Sequence, residues 1–542
     1  MTQSTRERSL WAWGWRDRFP DDASRTGLTQ LIRAILPTSG TPAVRLLPSD
    51  EPTVTTSGTA VPDAIARFTT QAPRDRAMHA RGRAFPDLVA GFAGDYTTAP
   101  DLVARPRDNA EVLQVLEICA TRGWACVPFG GGTSVVGGVD AGLARGSRPC
   151  VVSLDLGAIT GVREVDATSR LARIGAGTLG PALEDELAAH GLTLRHFPQS
   201  FELSTLGGWL ATRAGGHYAT GPTRIDELTH SLTMITPRGA LETHRHPGSG
   251  AGPEPARLVL GSEGALGVIT EAWMRVVPRP RWRATASVAY REFSRGVAAA
   301  RALAQSGLWP SNARLLDANE ARLHRVRFDG TSVLLIGFES ADHPLGAWLA
   351  RALELARDHG GEVVSGPTET LADARPGRGG TGQTGEAGAW RQAFFEAPYL
   401  QSALLSIGVL SDTFETSCSW TQFPALHASV MANVSRALDE ACGGGIVSCR
   451  FTHVYPDGPA PYYTFVGPLA VGGELAQWRA VKAAASEALA AAGGTITHHH
   501  AVGRTHRPWY DRERPPLFGD ALRAVKRELD PSGILNPGVL ID

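Results

Sequence analysis

The sequence has 542 residues, 43% of them hydrophobic and 20% charged, a balance typical of a soluble globular protein with a large core. At roughly 150 residues per domain, the length indicates about two to four domains. The formal charge of −1 excludes a general electrostatic attraction to nucleic acid or to an anionic membrane. All but two of the 53 basic residues are arginine, which is typical of GC-rich bacterial genes.

Cysteine usage and hydropathy favour a reduced compartment. The chain has six cysteines and no Cys-x-x-Cys pair, so neither a disulfide framework nor a zinc ribbon is predicted. The N-terminus lacks the apolar segment of a secretory signal, and no apolar run approaches the roughly 20 residues of a membrane span. We therefore expect a cytoplasmic protein with a small-molecule substrate, no nucleic-acid partner and no integral membrane segment. A homodimer is compatible with the sequence.

Residues 1–99 are predicted to form an N-terminal arm with some helix. Three tryptophans (Trp11, Trp13 and Trp15) lie beside arginines near its start. We expect this arm to pack its aromatic rings on a later domain. An entrance lid over a site is the alternative.

Regular apolar spacing begins after Pro100. Val112, Val115, Leu116 and Cys119 fall on one face of a helix predicted at 111–122. Strands are predicted at 124–129, 151–156, 172–177 and 333–338, helices at 178–190 and 475–492, and a Gly-rich loop at 376–388. Strands mixed with helices predict an α/β or α+β region that ends near residue 278.

A glycine-rich turn follows the first predicted strand. It reads Pro128-Phe129-Gly130-Gly131-Gly132-Thr133-Ser134, and the missing side chains let backbone N–H groups approach an anion. It is not a Walker A loop, because no Gly-Lys-Ser/Thr follows, and it lacks the Gly-x-Gly-x-x-Gly spacing of a dinucleotide fold. Alone, it is equally consistent with a plain tight turn.

Three more segments of small residues follow, at 198–208, 211–216 and 261–270. Each alone is consistent with an ordinary loop. Together, in one region of mixed helices and strands, they favour a site for an extended ligand with a diphosphate and a flat ring system.

These motifs resemble, in their order, the FAD-binding domain (PCMH type) of the vanillyl-alcohol oxidase superfamily. Within it, the chain is most similar to the alkyldihydroxyacetonephosphate synthase family and its bacterial relatives, from about residue 81 to 540. The resemblance implies an α+β protein with a two-subdomain FAD-binding domain at 100–278 and an α/β cap domain at 279–494. A C-terminal segment, 495–542, is expected to return to the FAD domain.

In that family the first glycine turn holds the FAD diphosphate, and the later loops line the rest of the cofactor. Some superfamily members attach the flavin through a histidine in this turn; because glycines stand there in this chain, we expect non-covalent FAD. The resemblance implies FAD contacts from Pro128, Phe129, Gly130, Gly131, Gly132, Thr133, Ser134, Pro198, Gln199, Ser200, Ser204, Thr205, Gly207, Ala211, Thr212, Arg213, Ala214, Glu263, Gly264, Leu266, Gly267, Val268 and Ile269.

A run of three histidines, His498, His499 and His500, stands near the C-terminus. In an extended chain neighbouring side chains alternate sides, so at most two are expected in one site. No Asp, Glu or Cys lies at ligand spacing nearby, so no metal is predicted. Imidazoles that titrate near neutrality suit proton transfer, and the resemblance implies a catalytic role for all three.

The resemblance also assigns a catalytic tyrosine to Tyr462 and an arginine near the flavin to Arg314. A tyrosine with a pKa of about 10 acts as a base near neutrality only if its neighbours lower that value. An arginine can hold a carboxylate or phosphate, or stabilise charge on reduced flavin. The alternatives are a core tyrosine with a satisfied hydroxyl and a surface ion pair between Arg314 and Asp317.

One substrate position departs from the family. The synthases have a substrate-contacting arginine where this chain has Gln401, and glutamine supplies no charge for a phosphate dianion. This departure predicts a substrate other than a phosphorylated dihydroxyacetone, unless Arg504, His506 or Arg507 supplies the charge instead.

Three functions are compatible with these features. The first is an FAD-dependent oxidoreductase that acts on a small hydroxy acid or alcohol by hydride transfer to flavin N5. The second, implied by the resemblance, is a synthase that exchanges an acyl for an alkyl chain through a flavin N5 adduct, without net redox change. The third is a non-catalytic flavin-binding or partner-binding protein. Gln401 weighs against the second, whereas the histidine run and Tyr462 favour it.

Overall fold

The local sequence accounts well for the first long helix. Helix Asn109–Arg122 begins after Asp108, whose carboxylate accepts the backbone N–H of Glu111, and it ends at Gly123 in the left-handed conformation. Its predicted apolar face is fully buried against the first sheet. The computed structural model describes residues 6–36, 43–371 and 385–542.

Two sheets form the part of the chain before residue 279. The first has four strands in the order Thr69–Thr70, Leu102–Ala104, Val151–Asp155, Ala125–Phe129, and its last three strands are parallel. The second has five antiparallel strands in the order Val162–Asp166, Leu171–Gly175, Val268–Arg275, Thr229–Thr236, Gly239–Glu242. A short pair, Leu192–Thr193 with Val277–Pro278, closes this region.

A third sheet follows, with seven antiparallel strands. Their order is Glu362–Leu371, Trp282–Tyr290, Ser332–Ser340, Asn312–Leu316, Ile446–Val454, Pro459–Pro468, Val409–Glu415. Helices pack on it and between the other sheets; the α-helices are Asp22–Ile35, Asp63–Ala66, Pro73–Met78, Phe85–Phe92, Asn109–Arg122, Ala141–Arg145, Gly180–Ala188, Leu206–Thr212, Ile225–Leu228, Pro255–Val259, Phe293–Gln305, Ala318–Leu323, Gly346–Asp358, Gly385–Leu405, Phe423–Cys442, Glu474–Ala491, Arg507–Glu513 and Pro516–Leu529.

The fold class predicted from the resemblance is confirmed, since helices and sheets are mixed in the arrangement of a PCMH-type FAD-binding fold with a helix-and-sheet cap. The other predicted helices and strands also occur, with ends that differ by up to two residues. The predicted loop at 376–388 falls largely outside the described residues, and its last four residues belong to helix Gly385–Leu405. No helix in the described ranges is long and apolar enough to cross a membrane.

The two chain ends pack on the central body. The backbone of Trp13 donates to Ser402 Oγ, and Trp15 Nε1 donates to Glu202 Oε1, so the N-terminal arm lies on later elements, as predicted. At the other end, the C-terminal segment runs parallel to the strand that leads into the glycine turn. Cys126 N–H donates to the Ile534 carbonyl, and Asn536 N–H donates to the Cys126 carbonyl.

Candidate functional site: a cavity between the sheets

A cavity of about 640 Å³ lies where the loops of the first two sheets face the seven-stranded sheet. It brings together most of the residues that the sequence singled out. The predicted residues in its wall are Pro128, Phe129, Gly130, Gly131, Gly132, Thr133, Ser134, Pro198, Gln199, Ser200, Ser204, Thr205, Gly207, Ala211, Thr212, Ala214, Glu263, Gly264, Gly267, Ile269, Arg314, Gln401, Tyr462, His499 and His500.

Four predicted site residues do not line this cavity. Arg213 pairs with Asp226, and His498 lies behind the wall with its Nε2 bonded to the hydroxyl of Tyr455. Leu266 and Val268 are buried in hydrophobic cores. Val268 points away because successive side chains of strand Val268–Arg275 face opposite sides, and its neighbour Ile269 takes the cavity side.

The glycine turn is shaped by close packing. A side chain on Gly131 would lie 1.9 Å from the carbonyl oxygen of Leu203, and one on Gly130 would lie 2.3 Å from Thr205 Oγ1. Within the described residues, no protein acceptor takes a hydrogen bond from the backbone N–H groups of 130–134. Such a row of free donors in a cavity wall fits a diphosphate, so these residues fit FAD.

Two arginines near this turn, the half-buried Arg8 and the buried Arg83, were missed by the sequence reasoning. Arg8 Nη2 donates to the carbonyl of Gly131 at 2.8 Å, and burial lowers the pKa of Arg8 to about 10. Arg83 lines the cavity and donates to the carbonyls of Gly82 and Ser9. Their positive charge adds to the attraction that the turn offers an anionic ligand.

Glu263 joins the last glycine loop to the segment after the histidines. Its two carboxylate oxygens accept the backbone N–H groups of Val502 and Gly503 at 2.9 and 2.8 Å. Burial raises the pKa of Glu263 to about 7, although these two hydrogen bonds oppose the shift. The cofactor loop and the histidine segment are therefore held together by one side chain.

The histidine run is held by a second buried carboxylate. Glu415 accepts the backbone N–H groups of His498, His499 and His500 at 2.5, 3.1 and 3.0 Å, and the hydroxyl of Thr497. The run is a bend rather than an extended strand, yet two of its three rings line the cavity, as predicted. Burial lowers the pKa of all three histidines, so their imidazoles are neutral near pH 7.

Tyr462 faces these rings from strand Pro459–Pro468. Its hydroxyl donates to Thr413 Oγ1 at 2.9 Å, and the guanidinium of Arg450 lies 3.8 Å from its ring centroid. Burial raises the pKa of Tyr462, while the positive charge of Arg450 opposes the shift. The condition for a tyrosinate base is not met, so Tyr462 is protonated and acts as a hydrogen-bond donor.

Arg314 is fully buried on strand Asn312–Leu316 and lines the cavity. The suggested surface ion pair with Asp317 is absent, because Asp317 caps helix Ala318–Leu323 instead. Arg314 donates to the carbonyls of His217 and Thr452, and burial together with the charge of Arg450 lowers its pKa to about 9. A buried cation without a bonded carboxylate attracts an anionic ligand.

Gln401 lies in the cavity wall, but its amide is already engaged. Its Nε2 donates to the carbonyl of Ser411 at 2.9 Å and to Asp412 Oδ1 at 3.3 Å. The cations suggested as substitutes point elsewhere: Arg504 bonds to Gly137 and Pro537, His506 to Ala501, and Arg507 to surface carboxylates. Among the described residues of the cavity wall, Arg314 is thus a buried cation that bonds to no carboxylate, as is Arg83 near the glycine turn.

One part of the cavity is apolar, and the sequence reasoning did not find it. Helix Asp22–Ile35 of the N-terminal arm presents residues spaced by three and four positions to the cavity, a periodicity that was visible in the sequence. Their partners come from distant parts of the chain. The apolar residues of this part are Trp13, Leu28, Leu31, Ile32, Ile35, Leu323, Phe328, Leu400, Leu404 and Val466.

Comparisons with known proteins support an FAD cofactor. Residues 100–244 match the family model "FAD binding domain", and residues 279–540 match "FAD linked oxidases, C-terminal domain". Alkyldihydroxyacetonephosphate synthases of Dictyostelium discoideum and Caenorhabditis elegans are 28% and 29% identical, each over 86% of this chain and over 77% and 80% of their own length. An uncharacterized FAD-linked oxidoreductase of Escherichia coli is 25% identical over 85% of this chain and 92% of its own.

A solved structure of an alkyldihydroxyacetonephosphate synthase has the same fold. Its TM-score is 0.76 at 23% identity, and the superposition covers 98% of each chain. The two family matches share one cofactor and together span both sides of the cavity. The protein is a flavoenzyme, which sets aside the non-catalytic alternative. The chain thus matches two family models of FAD-dependent enzymes, over residues 100–244 and 279–540, and it is similar to alkyldihydroxyacetonephosphate synthases.

Proposed function

We propose that this flavoenzyme binds FAD non-covalently and acts on an anionic substrate that carries a long aliphatic chain, exchanging an acyl for an alkyl chain as a synthase does. The observation that carries the proposal is the continuity of the apolar part of the cavity with the polar centre at Arg314, Tyr462 and His500. A small hydroxy acid has no apolar chain that would fill this part of the cavity. The synthase names of the relatives in Dictyostelium and Caenorhabditis point the same way.

Each group has a role in this reaction. Arg314 holds the anionic end of the substrate, and the apolar residues beside Ile32 hold the chain. The hydroxyl of Tyr462 exchanges its hydrogen bond to Thr413 for one to a substrate oxygen, while neutral His500 accepts a proton. Bound FAD would supply an electron-poor ring system that could hold the electron pair of a substrate C–H bond, once a histidine has taken its proton, and could give that pair back.

The exchange balances without an external oxidant. The bond between the substrate carbon and the acyl oxygen breaks, and a fatty carboxylate leaves with the bonding electrons. The oxygen of a fatty alcohol then forms a new bond to the same carbon, and its proton passes to His500. Because the incoming alcohol has the same apolar chain as the departing acid, one apolar pocket serves both.

A second candidate is hydride transfer from a hydroxy acid or alcohol. Gln401 is the observation that favours it, since its amide is bonded to Ser411 and Asp412 and brings no charge to a phosphate. In this reaction the substrate carbon loses a hydride, its hydroxyl proton passes to a histidine, and the flavin stays reduced until an electron acceptor arrives. Net flavin reduction therefore separates the two candidates.

The test is anaerobic mixing of the purified protein with a substrate panel while the oxidised-flavin band is followed. Acyl dihydroxyacetone phosphate should bleach the band transiently, and the band should recover when a fatty alcohol is added. Lasting bleaching by a hydroxy acid or an alcohol would instead establish the second candidate. Denaturation should release the flavin into solution, and flavin retained on the denatured chain would contradict non-covalent binding. A cytoplasmic location and a homodimer stay predictions.

A further inference from the structure

Three histidine rings from two distant segments converge at the wall of the cavity. His453 lies one residue before the end of strand Ile446–Val454, whereas His498 and His499 belong to the bend held by Glu415. One ring nitrogen from each of the three lies within 4.8 Å of the other two. The Nδ1 atoms of His498 and His499 are 3.1 Å apart, and the rings of His453 and His498 are 4.9 Å apart.

His453 carries an unsatisfied nitrogen at this point. Its Nε2 is buried and has no hydrogen-bond partner among the described residues. A side chain on Gly215 would meet this Nε2 at 3.4 Å and the Cβ of His499 at 3.3 Å, so both histidines press against the same glycine. A buried, unpaired imidazole nitrogen is costly unless something binds it.

We propose that His453, His498 and His499 form a binding site for a divalent transition-metal ion, with Zn²⁺ as the best fit. A tetrahedral zinc ion with Zn–N bonds of about 2.0–2.1 Å separates two ligand nitrogens by roughly 3.3 Å. The separation of 3.1 Å between the two Nδ1 atoms is close to this value. Three imidazoles are a ligand set that suits zinc.

The surroundings supply what such a site requires. The hydroxyl of Tyr455 is 2.7 Å from His498 Nε2, and that of Thr452 is 3.1 Å from His453 Nδ1, so a partner orients the second nitrogen of two of the three rings. Glu415 Oε2 lies 3.5 Å from His499 Nδ1 and offsets part of the ion's charge. Both His453 and His499 line the cavity, so a fourth coordination position faces the substrate space.

This site also explains why the sequence predicted no metal. No Asp, Glu or Cys stands at ligand spacing within a few residues of the histidine run. The third ligand is His453, 45 positions before His498 in the chain, brought there by the seven-stranded sheet. Metal ligands are recognised in space, and sequence proximity is a poor guide when a sheet strand supplies one of them.

The experiment is zinc titration of the full-length, FAD-loaded protein after treatment with a chelator. Zinc content after dialysis and the shift of the unfolding temperature with Zn²⁺ are the two measurements. We expect one tightly bound zinc per chain, with affinity about 100-fold weaker in His453→Gln. Tyr455→Phe should weaken zinc binding about tenfold, because it removes the partner that orients His498. His427→Gln, a histidine on helix Phe423–Cys442 outside the cluster, is the matched control and should bind zinc normally.

Two results would overturn the site. One is zinc binding no tighter in the unaltered protein than in His453→Gln, which would mean that His498 and His499 only share a hydrogen bond. The other is stoichiometric zinc that persists in both His453→Gln and Tyr455→Phe. Because Tyr455→Phe keeps the ligands and the bulk of the ring, it tests the site even if His453→Gln does not fold. Neither measurement depends on the substrate of the enzyme.

Discussion

Glu415 Oε1 accepts the backbone N–H of His500 at 3.0 Å, and the same carboxylate accepts the N–H groups of the two preceding histidines. Three consecutive amides thus converge on one buried anion. This contact fixes the bend that turns two imidazoles into the cavity. Glu415 is a positioning residue, since the substrate space is lined by the rings that it holds and Glu415 itself is absent from its wall.

Glu415→Gln tests this role. In Glu415 both carboxylate oxygens accept backbone N–H groups. Glutamine has only one oxygen, so its NH₂ group would face a backbone N–H that has lost its acceptor. We expect the free energy of unfolding to fall by about 2–3 kcal/mol, because a buried donor is left unpaired. Turnover should fall roughly 100-fold, since misplaced catalytic rings lose their alignment. Denaturant unfolding and steady-state rates measure the two effects.

The control for this prediction is Glu354→Gln on the exposed face of helix Gly346–Asp358, where the carboxylate only pairs with Arg351. It should change neither quantity, because surface pairs contribute little. Unaltered unfolding and turnover in Glu415→Gln would show that the bend keeps its shape without the anion.

Glu263→Gln tests the link between the cofactor loop and the histidine segment. Its two oxygens accept one N–H each from Val502 and Gly503, so the amide leaves one of these donors unpaired. We expect FAD to bind about tenfold more weakly, measured by flavin fluorescence on reconstitution of the apoprotein. Glu254→Gln, exposed and paired only with Arg257, is the control. Equal FAD affinity in both variants would contradict the structural link.

Chain-length selectivity tests the apolar part of the cavity. Ile32→Phe adds bulk where Ile32 packs with Leu404 and Val466, so long chains should lose room while short ones still fit. We expect kcat/KM for long-chain substrates to fall about tenfold relative to short-chain ones. Leu46→Phe, at an exposed leucine outside the cavity, is the control. If kcat/KM depended on substrate chain length in the same way in Ile32→Phe, the aliphatic chain of the substrate would have to bind elsewhere.

Gln401→Arg restores the arginine that the synthase family has at this position. A guanidinium at this position adds a positive charge that can bind a phosphate. Asp412, whose Oδ1 accepts a hydrogen bond from Gln401, competes with the phosphate for this guanidinium. We expect KM for a phosphorylated substrate to fall about tenfold, with little change for an uncharged alcohol. Gln305→Arg, exposed and outside the cavity, is the control. If KM changed equally for charged and uncharged substrates, residue 401 would not contact the substrate phosphate.

The sequence located the local features of this site and missed the distant ones. The turn at 130–134 was predictable because its function depends on adjacent backbone groups. Ile269 and Val268 were assigned alike, although strand alternation places one in the cavity and the other in a core. The contact of Ile32 with Leu404 joins residues more than 300 positions apart, and no local pattern encodes it.

The charge states of the site residues also could not be predicted from the sequence. Arg314 was found through the resemblance, but its burial, which makes it a candidate anion site, depends on packing against Trp390 and Phe394. Tyr462 lies beside the histidines, with its ring centroid 5.9 Å from that of His499, and its protonation state depends on burial that outweighs the charge of Arg450. Environments set by tertiary packing fix the chemistry of these groups.

A pH-dependent loss of stability is expected from Asp87. Burial, with the nearby charge of Asp140, raises the pKa of Asp87 from 3.8 to about 7. Because the folded pKa lies above the unfolded one, the stabilisation is complete below about pH 3.8 and is lost as the pH rises towards 7. Asp87→Asn keeps an oxygen for the backbone N–H of Ala84 and does not ionise. In the variant the free energy of unfolding should therefore fall less between pH 5 and 7, by about 1–3 kcal/mol.

Denaturant unfolding at several pH values measures this slope. Asp342→Asn, at a fully exposed carboxyl, is the control and should retain the slope of the unaltered protein. Identical slopes in Asp87→Asn and the unaltered protein would show that Asp87 stays ionised in the folded state. In that case the guanidinium groups of Arg81 and Arg83, which oppose the shift, outweigh burial.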